Sequence, residues 1–151
     1  MSQVVDTDPL NERATVLADL SEPDSLPAGR FNCFILTQAL RYIPDLDVTI
    51  RNAWRALMPG GTLLISVLTL SGVDPVRREA DLRRLTPLGL ERVVARTCQG
   101  AEIETRGYGN GLVGTPIVMG LSTQDQTESE TRSDDAGFSV VVCARIRKSV
   151  G

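Results

Sequence analysis

Apolar residues in this chain gather into short blocks, and the spacing within each block predicts its structure. Phe31 to Leu36 is a nearly unbroken apolar run, which predicts a strand buried on both faces, as in a parallel sheet. Leu46, Ile50, Ala53, Trp54 and Leu57 recur at helical spacing and make one stripe of a helix. Asp45 supplies its cap and Pro59-Gly60-Gly61 its stop. Thr62 to Leu68 predicts a second buried strand. Thr86-Pro87 opens another helix, a cap followed by proline at the first helical position. Leu90, Val93, Val94 and Thr97 form its stripe, and Gly100 closes it. Ala101 to Arg106 alternates weakly, as an outer strand does. Phe138 to Ile146 predicts a last buried strand, ended by Arg147-Lys148. Near the start, Ala14 to Ala18 is a short β-type run. Val4-Val5, before Asp6-Thr7-Asp8-Pro9, reads as the tail of a strand or as a loop.

Polar segments separate these blocks. Ser21 to Gly29, with Pro23 and Pro27, is a loop or a broken helix. Residues 71–85 are arginine-rich and predict a loop with at most one helical turn. Gly107 to Gly114 is glycine-rich; Pro116 and Gly120 disfavour a helix after it. Within it, Gly109, Gly111 and Gly114 fit G-x-G-x-x-G, but a dinucleotide site needs a helix next and a βαβ start, so a flexible loop is the plainer reading. Strands alternating with helices predict one α/β layered domain with a mainly parallel sheet. Right-handed crossovers would place helices on both faces. The last two strands suit an antiparallel pair with an elaborated connection.

Composition narrows the function. A chain of 151 residues with 42% apolar residues suits a single folded domain. The net charge of -3 argues against a nucleic-acid partner. Ser122 to Asp135 holds five acids and one arginine, so the acidity is local: a solvated loop, or a docking surface. With no histidine, Ser-His-Asp and Cys-His catalysis and His-ligated zinc drop out. Cys33, Cys98 and Cys143 are far apart and in apolar segments, which predicts buried free thiols in a reducing cytoplasm. No apolar run is long enough to span a membrane, and MSQVVDTDPL is no signal peptide. Basic residues are nearly all arginine, with Lys148 the single lysine, a hint of a GC-rich bacterial genome.

An ordered series of short motifs then carries a family likeness. Ala18-Asp19-Leu20 comes first, then Leu26-Pro27-Ala28-Gly29-Arg30-Phe31-Asn32-Cys33, Leu36-Thr37-Gln38-Ala39-Leu40, Tyr42-Ile43-Pro44-Asp45, and Arg55-Ala56-Leu57-Met58-Pro59-Gly60-Gly61-Thr62-Leu63-Leu64-Ile65. The series resembles the second half of class I S-adenosylmethionine-dependent methyltransferases. There an acid-leucine pair ends the third strand, F-D-x opens the fourth, and R-x-L-x-P-G-G precedes the fifth. Leu85-Thr86-Pro87, Tyr108-Gly109-Asn110, Met119-Gly120-Leu121 and Ala144 to Lys148 look like a subgroup whose bacterial members are often found near glycosyltransferase genes. The resemblance covers residues 4–148 and implies an incomplete Rossmann-like methyltransferase fold, with an antiparallel C-terminal strand.

It also implies chemistry. Such folds bind S-adenosylmethionine across the carboxyl ends of the strands. Asp8 or Asp6 sits where an acid accepts hydrogen bonds from the ribose hydroxyls, with a solvated turn acid as the other reading. Asp19 matches the acid that contacts the adenine amino group, and Leu20 lies beside the ring. Thr37 and Gln38 would face the methyl group and its acceptor, or simply cap the strand end. Tyr42 would line the acceptor pocket, or pack. No catalytic residue is assigned. The T-Q-A-L sequence does not resemble the loop of nucleic-acid amino methylators, so a small molecule or glycan is the better acceptor. The departures count too. The family's first strand and glycine-rich loop have no counterpart, Asn32 replaces an aspartate, and Thr69-Leu70-Ser71-Gly72 stands where the subgroup has P-G-I. The expectation is therefore a methyltransferase-like domain that takes the absent strand from a further segment or a homo- or hetero-oligomer, or a non-catalytic subunit of an enzyme.

Overall fold

A computed structural model describes residues 2–119, 135 and 137–150. Most of the acidic stretch 122–135 lies outside the described residues. In chain order the elements are β1 (Val5–Asp6), β2 (Val16–Leu17), β3 (Phe31–Thr37), α1 (Leu46–Ala56), β4 (Leu57–Leu68), α2 (Pro87–Thr97), β5 (Glu102–Tyr108), α3 (Gly111–Met119) and β6 (Val141–Arg147), with short 3₁₀ turns at Ala39–Arg41 and Arg78–Ala80.

β1 and β2 form a small parallel ladder. The main sheet has the order β3-β4-β6-β5. β3 runs parallel to β4, and β6 is antiparallel to both its neighbours, so three strands share one direction and the C-terminal strand opposes them. This is an α/β, Rossmann-like methyltransferase arrangement.

Local chemistry sets the helices as expected. Asp45 accepts the Val48 N–H at the start of α1 (3.0 Å), and Thr86 accepts the Gly89 N–H at the start of α2 (3.1 Å). α1 buries Ile50 and Ala53, and α2 buries Leu90 and Val94. They meet Phe34, Leu36, Leu63, Ile65, Val67, Val142, Ala144 and Ile146, which alternate along three strands and form one core. Lys148 fastens the end of the chain by donating to the Trp54 and Leu57 carbonyls (3.0 and 2.9 Å).

Four expectations fail. α1 and α2 lie on one face, not on both. The crossovers β3-α1-β4 and β4-α2-β5 step in the same direction across the sheet, and right-handed crossovers then land on the same side. β3 is accordingly buried on one face only: Phe34 and Leu36 are buried, whereas Ile35 is 64% exposed. For the same reason Cys33 is exposed, while Cys98 is buried with its thiol pushed up to about 12 by desolvation, and Cys143 is half-buried and also raised. Finally, residues 111–119 form a helix despite Pro116. Asn110 caps it by accepting the Val113 N–H (3.0 Å), and Gly114 packs so closely on Phe138 and Leu70 that a side chain would collide with them.

Candidate functional site

The carboxyl ends of β1, β2 and β3 carry most of the polar residues singled out above. Asp6 ends β1. Its carboxylate accepts the Asp8 N–H (3.0 Å) and the Asn11 amide (2.5 Å), and these bonds, aided by the charge of Arg77, hold it below the usual carboxylate range. Asp8 is exposed and accepts the Leu10 N–H (2.9 Å) in a turn. Asp19 follows β2, is exposed, and accepts the Ser21 N–H (2.8 Å). Leu20 is half-buried and packs on the core.

Thr37 is the exposed last residue of β3, and Gln38 follows in the left-handed region (φ 57°). That conformation costs a non-glycine residue roughly 1–3 kcal/mol, which only a well-determined surrounding sustains. The Gln38 N–H donates to the Ser66 carbonyl (2.9 Å), and the side-chain amide reaches the Ser66 hydroxyl at 3.4 Å. Its Oε1 is buried and has no hydrogen-bond partner among the described residues. A buried carbonyl oxygen left in that state is poised to accept from a bound group.

Two supports escaped the sequence reading. The first is Asn52, a buried amide on α1. It donates to the Leu20 and Glu22 carbonyls (3.0 and 2.7 Å) and accepts the Asp24 N–H (3.0 Å). It therefore fixes the loop that follows Asp19. An asparagine directly beside the apolar stripe was the available signal.

The second support is the arginine-rich segment 71–85, read above as a loop. It is a clamp over the turn after β3. Asp81, its side chain fully enclosed, accepts from Arg41 Nε (2.9 Å) and Arg84 Nη1 (2.6 Å), and the two guanidiniums hold it far below the ordinary carboxylate range. Arg83 donates to the Leu40, Ile43 and Pro44 carbonyls. Tyr42 donates its hydroxyl to Asp74 (2.7 Å), and Arg41 and Arg77 lie over its ring. That bond, with burial, raises the Tyr42 phenol, and the same bond with the Val76 and Arg77 N–H groups lowers Asp74, so Tyr42 is a hydrogen-bonding and stacking group rather than a base. Through Arg77 the clamp reaches toward both Asp6 and Tyr42.

Beside these tips runs a cleft of about 850 Å³, lined by residues 2–5, Leu20, residues 30–37 and Ala39. It brings Leu20 and Thr37 to one opening; Asp6, Asp8, Asp19, Gln38 and Tyr42 lie outside its walls. G-x-G-x-x-G does open α3, but β5 and β6 are antiparallel, so no βαβ unit is formed there. Among the described residues no three metal-ligating side chains gather, and no helix is long and apolar enough to cross a membrane.

Comparison with known proteins bears on the fold. Residues 3–65 match the model of a methyltransferase domain family. No curated protein sequence matches. Similar solved structures include an S-adenosylmethionine-dependent methyltransferase from Thermotoga maritima (13% identity, 86% of this chain and 61% of that one, TM-score 0.57). Another is the complex between the Haloferax volcanii Trm112 methyltransferase activator and a methyltransferase (14%, 96% and 70%, 0.60). A third is an S-adenosylmethionine-dependent methyltransferase from Mesorhizobium loti (17%, 94% and 73%, 0.58). At these identities the likeness is one of fold. The chain spans 61% of the Thermotoga maritima structure's length. The fold is the Rossmann-like fold of these S-adenosylmethionine-dependent methyltransferases, and the match to a methyltransferase domain family covers residues 3–65, under half of the chain.

Proposed function

We propose that this chain is an S-adenosylmethionine-dependent methyltransferase-like protein. Completed by a further segment or a partner, it transfers a methyl group to a small molecule or a sugar. The observation that supports it most is the strained turn at Gln38, with a buried unpartnered oxygen at the tip of β3. In this reading Asp6 or Asp8 accepts from the ribose hydroxyls. Asp19 accepts from the adenine amino group, and Leu20 lies against the ring. Thr37 and Gln38 face the acceptor, and Tyr42 lines its pocket. The ionised Asp6 suits a ribose contact, because a carboxylate accepts two hydrogen bonds at once. When bound, the cofactor supplies a sulfonium methyl for in-line displacement, so the protein's part is position and electrostatics. A reducing bacterial cytoplasm suits free thiols that make no disulfide.

The open cleft beside β3 favours a second reading, a non-catalytic methyltransferase-like subunit that regulates an enzyme. Titration calorimetry with S-adenosylmethionine separates the two. The enzyme reading expects micromolar binding that Asp19→Ala abolishes. No heat from a well-folded chain would leave the subunit reading.

A further inference from the structure

The segment 71–85 and Arg41 together carry five arginines and three acids, in a chain whose net charge is -3. Three of these arginines are committed. Arg41 and Arg84 pair with the enclosed Asp81, and Arg83 donates to the Leu40, Ile43 and Pro44 carbonyls. Arg77 differs. Its side chain is exposed and makes no hydrogen bond or ion pair among the described residues, yet its place is fixed twice. Its backbone N–H donates to the Asp74 carboxylate (3.1 Å), as does that of Val76 (2.8 Å), in a turn that opens Asp74-Pro75. Its guanidinium lies over the Tyr42 ring, 5.4 Å from the centroid. That ring is itself held, by Asp74 at its hydroxyl and by Arg41 at 4.9 Å. A guanidinium stacked on a ring uses its face and leaves its edge donors open as a planar fork. The charge of Arg77 also helps to hold Asp6 ionised at the tip of β1. One arginine thus stands within electrostatic reach of both the acid read as the ribose contact and the tyrosine read as the wall of the acceptor pocket.

We propose that Arg77 determines specificity for the methyl acceptor, and that the acceptor carries a carboxylate or phosphate group, which the Arg77 fork takes beside Tyr42. The proposal names the substrate class of the reading above and rests on it. Arginine matches the planar or near-planar oxygen pair of either anion with two parallel N–H bonds. Charge argues the same way. The cofactor of that reading is cationic at its sulfonium, and an arginine with an open fork near the same strand tips disfavours a cationic acceptor and favours an anionic one. Size is compatible too. Tyr42 stands one 3₁₀ turn beyond Gln38, roughly 8 Å along the axis, so a molecule the size of a sugar or amino acid with an acid at one end spans both.

Inorganic phosphate and acetate are the probes, titrated into the full chain and followed by NMR at the Arg77 Nε–H and the Tyr42 amide. At least one should saturate with a Kd below about 10 mM, tighter than a lone solvated arginine achieves, and the tighter of the two tells phosphate from carboxylate. Arg77→Gln should weaken it at least ~10-fold, and Arg77→Lys by less, because the charge is kept and the fork is lost. Arg78→Gln, at the exposed neighbouring position, should leave it unchanged. S-adenosylhomocysteine is titrated into the same samples, and its affinity should be the same with and without phosphate and in Arg77→Gln. The proposal is overturned if neither anion saturates in that range, or if Arg78→Gln weakens binding as much as Arg77→Gln, the mark of general attraction. It is also overturned if phosphate competes with S-adenosylhomocysteine, which would assign the fork to the cofactor's own carboxylate. Anion binding in a chain that takes no S-adenosylhomocysteine would keep the anion site and remove the methyltransferase reading. S-adenosylhomocysteine binding with no anion at Arg77 would remove this proposal alone.

Discussion

Asn52 shows how a single buried amide can fix a functional loop. Its side chain holds the Leu20 and Glu22 carbonyls and the Asp24 N–H. Asn52→Ala strands those groups and should cost about 2 kcal/mol, measured by urea denaturation. It should also weaken S-adenosylmethionine binding, since the loop follows Asp19; unchanged stability would mean that the loop is held from elsewhere. The acids make a second prediction at this scale. Asp6, Asp74 and Asp81 are all held below the carboxylate reference of 3.8 in the folded chain. The unfolded chain therefore binds more protons as pH falls, and acid favours unfolding. Their stabilisation is complete above about pH 4 and is lost progressively as pH drops through the folded values. Melting temperature measured from pH 7 to pH 3 should fall on the acid side, and Asp81→Asn should lower the neutral value and flatten that fall. Parallel curves for the two proteins would count against the clamp as an electrostatic unit.

Helices were legible in the sequence because their signals are local. Asp45 sits one residue before its helix's apolar stripe and Thr86 one before the helix-opening Pro87, and each caps its helix through the N–H three residues on. Thr86→Ala should cost about 1 kcal/mol, read from thermal or urea unfolding, with little effect on α1. No change at all would mean that packing alone sets the start of α2. The strands were legible as strands, but not in their burial. The run Phe31 to Leu36 is apolar on both faces, and the sequence could not tell that only one face would be covered, because coverage depends on the direction of two crossovers. α3 was missed for the opposite reason. Pro116 and the glycines lower local helix propensity, and the compensating contacts of Gly114 with Phe138 and Leu70 come from distant parts of the chain. The clamp 71–85 reads as a solvated arginine-rich loop until its partners Leu40, Arg41, Tyr42, Ile43 and Pro44 are brought beside it.

Across the whole molecule, the order of motifs carried the fold, since each piece occurs widely and only the succession is specific. Asp6, Asp19, Thr37 and Gln38 were picked as strand-tip residues, and the strands end at or just before them. Asn52 and the clamp, which hold the loops at those tips, depend on long-range contacts that no local pattern announces. The central claim of the proposed function is that the groups at the tips of β1, β2 and β3 bind one nucleoside, although Leu20 and Thr37 alone of those assigned to it line the cleft in the free chain. Amide chemical-shift mapping by NMR during titration with S-adenosylhomocysteine, the product of methyl transfer, tests it most directly. The shifts should concentrate at Asp6, Asp8, Asp19, Leu20, Thr37 and Gln38 and saturate together. Shifts scattered over unconnected surfaces, or none in a folded chain, would contradict it.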